Sequence, residues 1–276
     1  MASTHWQKVI WRWRPAVVEP ARGRSPYPRQ WGMAGSLDLN ADVGEGFPYD
    51  ESLLELISSA NIACGFHAGD PGTMRWLCGL CAERGVAVGA QVSYRDRDGF
   101  GRRDIEIGYD DLLADVVEQR QMLNAAADSA GVQVRYLKPH GALYNRTVWD
   151  REQARAVVDA AAGLAVLGLP GSVLLEEVAT AGLRGVREFF ADRGYSPDGT
   201  LVPRSATGAL VSGAAAVAAR VTQLVTAGTV TAIDGSTVAV QADSICVHGD
   251  TEDAVGLARA VAAALVERSI AMRPFA

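Results

Sequence analysis

The feature that most constrains the fold is a repeated alternation of short apolar runs with longer amphipathic segments between residues 36 and 276. The apolar runs have the length of buried strands, and the segments between them carry apolar residues at helical spacing. About seven strand–helix units of this kind predict a mostly parallel sheet with right-handed crossovers. We therefore expect an α/β fold, an irregular TIM-like β/α barrel of about seven strands, with an open doubly wound sheet as the alternative.

Residues 36–276 are interpreted as a single barrel domain, because the alternation runs through them without a linker. Ser52 and Glu55 form a capping box that predicts a helix start, and Thr251 is expected to cap the last helix. The predicted strands cover residues 37–42, 61–63, 86–92, 132–138, 164–167, 186–190 and 244–247, with a hairpin over 229–240. The predicted helices cover residues 53–57, 70–84, 109–130, 151–162, 173–181, 214–227 and 251–267.

Residues 1–35 differ in composition from the rest of the chain. They hold six of the Lys/Arg residues and one Glu, and the chain as a whole has a net charge of −6. We interpret them as a disordered extension, or as a mis-started one if translation begins at Met33; a membrane-surface or RNA-binding arm is the alternative. They contain no apolar stretch of signal-peptide length.

The acidic remainder argues against a nucleic-acid partner, because such affinity comes mainly from neutralising phosphates. No run approaches the ~18 apolar residues that a membrane span needs. Cys78 and Cys81 form a CxxC within a predicted helix, where burial as small hydrophobic side chains is expected. This cysteine usage is typical of a soluble protein of the reducing cytoplasm.

Polar side chains gather where the predicted strands end. Lys138 leaves an apolar strand, which by itself usually indicates a solvated end. Several other strands end in the same way, and the carboxyl ends of parallel strands share one rim. We therefore expect a common site. The set comprises Asp38, Asn40, Asp42 and Glu45; Asn61 and His67; Gln91 and Ser93; Lys138, His140 and Asn145; Glu188 and Asp192; and His248 and Asp250.

Such a rim supports several chemistries. Carboxylates and histidines transfer protons near neutral pH, and Lys138 could stabilise an oxyanion or a phosphoryl group. A divalent metal could be held by Asp42, His67 and a third ligand, as in a metal-dependent amide hydrolase or deacetylase. The expected place for that third ligand holds Gln91, a poor ligand for zinc, so we assign no metal site.

Six motifs, taken in order and spacing, resemble the LamB/YcsF family: LDLNADVGEGF, ISSANIACGFHAGDP, GAQVSYRDRDGFGRR, LKPHGALYN, FADRGYSPDGTLVPRS and VHGD. The resemblance implies an irregular β/α barrel related to polysaccharide deacetylases. It also implies ATP-dependent opening of 5-oxo-L-proline (pyroglutamate) to L-glutamate, with ADP and phosphate released. The implied partners are 5-oxoprolinase subunits B and C, and the implied ligand is ATP with Mg²⁺ as its counter-ion.

On this resemblance, the expected catalytic residues are Asp42, His67, Lys138, His140 and Glu188. The expected substrate- or nucleotide-binding residues are Asn40, Glu45, Asn61, Gln91, Asn145, Arg193, His248 and Asp250. Many relatives carry Gly-Ala-His-Pro where this chain has Gly-Ala-Gln-Val, and we expect Gln91 to bind substrate by hydrogen bonds. A non-catalytic subunit that holds substrate for its partners is a further alternative.

Overall fold

The computed structural model describes residues 35–251 and 253–276. The interpretation of residues 1–35 as an extension therefore falls outside the described residues, apart from Gly35. Ten strands are described: β1 (Ser36–Val43), β2 (Ser59–Ala63), β3 (Ala87–Val92), β4 (Val134–Pro139), β5 (Ala165–Gly168), β6 (Gly185–Phe190), β7 (Thr229–Thr231), β8 (Thr237–Ala239), β9 (Ser244–Val247) and β10 (Ala271–Met272).

Seven parallel strands close into a barrel in the order β1-β2-β3-β4-β5-β6-β9, and β9 returns to pair with β1. β10 adds to the outer end of β1, while β7 and β8 form a separate antiparallel hairpin. The predicted parallel barrel of about seven strands is confirmed. Closure brings every strand's carboxyl end to one rim.

Helices connect the strands and cover the barrel. Among the described residues, none combines the length and the apolar character needed to cross a membrane. Cys78 and Cys81 are buried on the second helix as free thiols, as predicted. The helices are α1 (Asp50–Leu54), α2 (Pro71–Arg84), α3 (Tyr109–Ser129), α4 (Gly141–Arg146), α5 (Arg151–Ala160), α6 (Val173–Thr180), α7 (Ala214–Ala227) and α8 (Ala254–Glu267).

Strand alternation separates an apolar outer face from a polar interior. On β1, Leu37 and Leu39 pack in the hydrophobic core, whereas Asn40 and Asp42 bond to side chains from other strands. Since helices cover the outside, the polar positions have only the barrel interior left to occupy. Asn40, Asn61 and Glu188 thus lie within strands and inside the barrel, not past strand ends as predicted.

An aromatic layer fills the lower part of the barrel. The Tyr136 ring packs edge-on against Phe275, with 4.8 Å between ring centroids, and lies among Leu167 and Val186. Gly89 leaves room for this ring, because a Cβ there would lie 2.0 Å from Tyr136 Cε2. The polar site above it is therefore closed from below.

Two predicted helix caps are wrong. α1 begins at Asp50, because Leu53 N already donates to the Tyr49 carbonyl at 2.9 Å, so the helix starts before the Ser52 capping box. α8 begins at Ala254 with Asp253 as N-cap, and Thr251 contributes its backbone carbonyl. The short helix α4, directly after β4, was not predicted.

Candidate active site

Lys138 on β4 lies inside the barrel between two carboxylates from distant strands. Its Nζ is 2.9 Å from Asp42 Oδ1 on β1 and 2.8 Å from Glu188 Oε1 on β6. Cys246 Sγ on β9 lies 3.2 Å away. Only 2% of the Lys138 side chain is exposed, so this is a buried ion cluster and not a solvated strand end.

Electrostatics fix the charges in this cluster. Burial alone would lower the pKa of Lys138, but Asp42 and Glu188 outweigh it and hold that pKa well above its ordinary value. Burial likewise opposes ionisation of Asp42, yet Lys138 holds the pKa of that carboxyl below its usual range. Lys138 is therefore a fixed cation, suited to stabilising negative charge and unsuited to accepting a proton.

A hydrogen-bonded layer below holds Asp42 in place. Asn61 Nδ2 donates to Asp42 Oδ1 at 2.8 Å and to Asn40 Oδ1 at 2.7 Å. Tyr136 Oη donates to Asn61 Oδ1 at 2.7 Å, which fixes the amide orientation. Asn40 and Asn61 were predicted to bind ligand, but their polar atoms serve this network instead.

Four further predicted residues form a second group at the rim. The His67 and His140 rings stack with centroids 4.0 Å apart. Gln91 Nε2 donates to Glu45 Oε1 at 2.9 Å and to His140 Nδ1 at 3.0 Å. This group adjoins a second cavity of about 550 Å³, lined by Glu45 and His67.

The tautomer of His140 follows from its partners. The Phe100 carbonyl can only accept, so His140 Nε2 carries the proton that it donates over 3.1 Å. Nδ1 must then accept from Gln91. Burial, with His67 beside it, holds the pKa of His140 well below its ordinary value. His140 is thus neutral, with both nitrogens engaged.

Two groups of side chains have the spacing of metal ligands: Asp42 with Cys246 and His248, and Glu45 with His67 and His140. In the first, Lys138 Nζ already contacts both Asp42 and Cys246. In the second, the Gln91 amide donates to Glu45 and His140. Nitrogen donors of the chain therefore occupy the positions that a cation would need.

A cavity of about 340 Å³ opens above Lys138. At its mouth, Asp250 Oδ2 accepts from Arg204 Nη1 at 3.1 Å and also from Arg102 Nη2. Each guanidinium has five N–H donors, so both arginines retain donors for a ligand. Burial opposes ionisation of Asp250, but His248 and the two arginines hold the pKa of its carboxyl low.

Two predicted binding residues have structural partners at this cavity. Arg193 donates to the carbonyls of Ala209 and Val202, at 3.1 and 2.7 Å. Burial, with Arg204 nearby, lowers the pKa of Arg193 to about 10. Asn145 is exposed on α4, and its Nδ2 donates to the Gly141 carbonyl at 3.1 Å. Their expected ligand roles stay predictions.

His248 follows β9 and faces the same cavity. Its ring lies against Phe190, with 5.3 Å between centroids, and its Nδ1 is 2.9 Å from both carboxylate oxygens of Asp192. The backbone N–H of His248 also donates to Asp192 Oδ2 at 3.1 Å. Asp192 was noted among the strand-end residues but was not expected to be part of the site.

The loop after β3 closes the rim over both histidines. Phe100 has a left-handed φ of +56°, which is unfavourable for a bulky residue, and its ring contacts His67 and His140 edge-on. Gly141 also has positive φ, and a Cβ there would lie 2.3 Å from the Gly101 carbonyl. This close approach explains the glycine after His140.

The structure thus divides the predicted site residues into the Lys138 cluster, the histidine pair and the cavity mouth. Sequence reasoning missed Arg102, Arg204 and Cys246. Both arginines lie within the GFGRR and LVPRS segments that carried the resemblance, which was the available signal.

Comparisons with known proteins agree on one family. The model of the LamB/YcsF family matches residues 37–276. The A-type subunit of 5-oxoprolinase from Streptomyces coelicolor is 53% identical over 249 residues, covering 87% of this chain and 100% of the relative. The protein of the same name from Mycobacterium avium is 52% identical over 252 residues, covering 88% and 100%. The crystal structure of "Lactam Utilization Protein" from Thermus thermophilus matches with a TM-score of 0.81 and 41% identity, covering 87% and 100%.

Proposed function

Since this chain belongs to the LamB/YcsF family, we propose that it opens the lactam ring of 5-oxo-L-proline to give L-glutamate. The reaction consumes ATP, releases ADP and phosphate, and takes place with 5-oxoprolinase subunits B and C. Support comes from two relatives named as the A-type subunit of 5-oxoprolinase, which are more than half identical to this chain over their whole length.

The observation that carries the proposal is the fixed cation at the base of the 340 Å³ cavity. Lys138 lies below, and Arg102 and Arg204 lie at the mouth. 5-Oxoproline carries a carboxylate and ATP carries phosphates, so both substrates need cationic partners. Arginine forks bind either anion in bidentate fashion.

The chemistry explains why such a cation is needed. A five-membered lactam is a stabilised amide, and its oxygen is a poor leaving group. Transfer of the γ-phosphoryl group of ATP to that oxygen gives an imidate phosphate, whose ring carbon water can attack. Lys138 stabilises the negative charge that develops on the oxygens during transfer. Mg²⁺ accompanies ATP as its counter-ion.

The two carboxylates beside Lys138 have a complementary role. Asp42 and Glu188 accept hydrogen bonds, and the lactam ring offers one N–H donor. A substrate whose ring points inward would place that N–H towards Asp42, which lines the cavity. Its carboxylate would then face the arginines at the mouth. This orientation matches the charges along the cavity, acidic and lysine-bearing below and arginine-bearing above.

The test is reconstitution of this chain with the two candidate partner subunits, 5-oxoproline and Mg-ATP. We expect glutamate and ADP in equal amounts, and loss of both in Lys138→Ala. Asp128→Asn, on an exposed position of α3, is the matched surface control and should keep full activity. Turnover without ATP, together with stoichiometric zinc, would refute the proposal in favour of a metal-dependent amide hydrolase.

A further inference from the structure

Among the described histidines, His248 is the one with a free ring nitrogen in the cavity above Lys138. A carboxylate can only accept, so the 2.9 Å contacts to Asp192 place the proton of a neutral His248 on Nδ1. Nε2 then keeps its lone pair, and within the described part of the chain no hydrogen bond engages it. His248 lines the cavity, so this nitrogen is open to a ligand or to water.

Asp192 is held rigidly enough to fix this arrangement. It lies directly after β6, is 1% exposed, and also accepts the backbone N–H of His248. The ring stacks on Phe190, with an interplanar angle of 17°. A buried carboxylate that orients an imidazole, with the far nitrogen free, is the arrangement that general-base catalysis requires.

The other two described histidines do not meet this requirement. His140 Nε2 donates to Phe100 and its Nδ1 accepts from Gln91, so it has no free lone pair. His67 borders the other cavity, beside Glu45. Lys138 is excluded as a base because two carboxylates keep it charged.

The geometry points to His248 as the general base that activates water for lactam opening, with Asp192 as its positioning residue. This inference rests on the proposed function and assigns the proton-transfer step that it left open. The structure brings His248 to the reaction through the cavity that it shares with Lys138 and Asp42.

Protons and electron pairs balance along this route. One water proton passes to Nε2 as the water oxygen bonds to the phosphorylated ring carbon, and the C=N electron pair moves to the ring nitrogen. His248 returns that proton to the nitrogen. The remaining hydroxyl proton follows the same route as the C–N bond breaks, which leaves an amine and an acyl phosphate. A second water hydrolyses the acyl phosphate to the carboxylate and phosphate.

The first experiment measures kcat and KM of the reconstituted complex against pH. We expect His248→Gln to lower kcat by about 10²- to 10⁴-fold, with KM for 5-oxoproline little changed. Asp192→Asn should lower kcat by about tenfold or more, since an amide can favour the wrong tautomer. Wild-type kcat in either variant would overturn the inference, and Asp128→Asn serves again as the surface control.

The pH profile separates positioning from a merely structural role. The charged or titratable groups around His248 are the acidic Asp192, Asp42, Asp250 and Cys246, and the cations that line the same cavity, above all Lys138 and Arg204. The base must be neutral, so wild-type activity should rise with pH through an ascending limb. In Asp192→Asn that limb should move to lower pH, because the carboxylate no longer stabilises the imidazolium. An unmoved limb would contradict the pairing.

The second experiment uses the isolated full chain without partners or ATP. ¹⁵N-histidine NMR at pH 8, assigned with His248→Gln, should show the His248 proton on Nδ1, and Asp192→Asn should remove its hydrogen-bonded signal. A proton on Nε2 would overturn the inference even if the complex is active. If the wild-type complex makes no glutamate, the proposed function fails, while the tautomer still decides whether the pair exists.

Discussion

Replacing Lys138 with methionine tests whether the buried cation organises the barrel as well as the chemistry. Methionine keeps most of the side-chain volume but removes the charge that Asp42 and Glu188 share. Both carboxylates are nearly inaccessible to water, at 3% and 0% exposure. Without the ammonium, two buried negative charges face each other, and the simplest relief is for one carboxyl to take up a proton.

The size of the penalty follows from that proton. Asp42 still accepts from Asn61 at 2.8 Å, so Glu188 is the group expected to become neutral. Protonating a Glu of ordinary pKa about 4.3 costs about 1.4 kcal/mol per pH unit above that value, or about 4 kcal/mol at pH 7.5. This agrees with the 3–5 kcal/mol typical of breaking one side of a buried ion pair. At pH 5 the same arithmetic leaves about 1 kcal/mol.

Urea unfolding followed by circular dichroism at pH 7.5 and pH 5 measures both values. The double variant Lys138→Met/Glu188→Gln should recover most of the loss at pH 7.5, because it removes the carboxyl that must be protonated. Arg151→Met, which breaks an exposed pair with Glu176, should cost less than about 1 kcal/mol. A Lys138→Met loss that is small, or equal at the two pH values, would refute this account of the cluster.

Two buried positions test the lower half of the barrel. Burial raises the pKa of Asp38 to about 6 despite a hydrogen bond from Ser244, so its contribution to stability is present below about pH 4 and is lost as pH rises through 6. Asp38→Asn should therefore raise the melting temperature at pH 8 and change it little at pH 4; equal gains at both would contradict this. Gly89→Ala places Cβ 2.0 Å from the Tyr136 ring and should cost about 1–3 kcal/mol in urea unfolding, whereas Gly79→Ala, where an added Cβ meets open space, should not destabilise.

The barrel could be predicted because its signal is local. Each apolar run and each helical segment is visible within about twenty residues, and a fixed crossover hand leaves few ways to arrange them. The polar interior was also present in the alternation of Leu37, Asp38, Leu39 and Asn40. In a barrel covered by helices, that pattern places the polar residues inside, yet the sequence interpretation assigned them to the rim.

The pairings within the site could not be predicted because they are long-range. Asp192 and His248 are 56 residues apart, and Arg102 and Asp250 are 148 apart. Only strand order and barrel closure decide that such residues meet. For this reason Asp192 remained one polar strand end among several, and Arg102 and Arg204 remained basic residues of two loops.

Gln91 shows how the two kinds of information combine. From the sequence, a glutamine at a position where many relatives have histidine raised the question of a lost ligand or base. In the structure, its amide donates to Glu45 and His140 and thereby fixes the neutral tautomer of His140. A side chain with both ring nitrogens engaged orients and shapes the site but accepts no proton. The demand for a base therefore passes to His248, whose free nitrogen faces the cavity on the far side of Lys138's carboxylate partner Asp42.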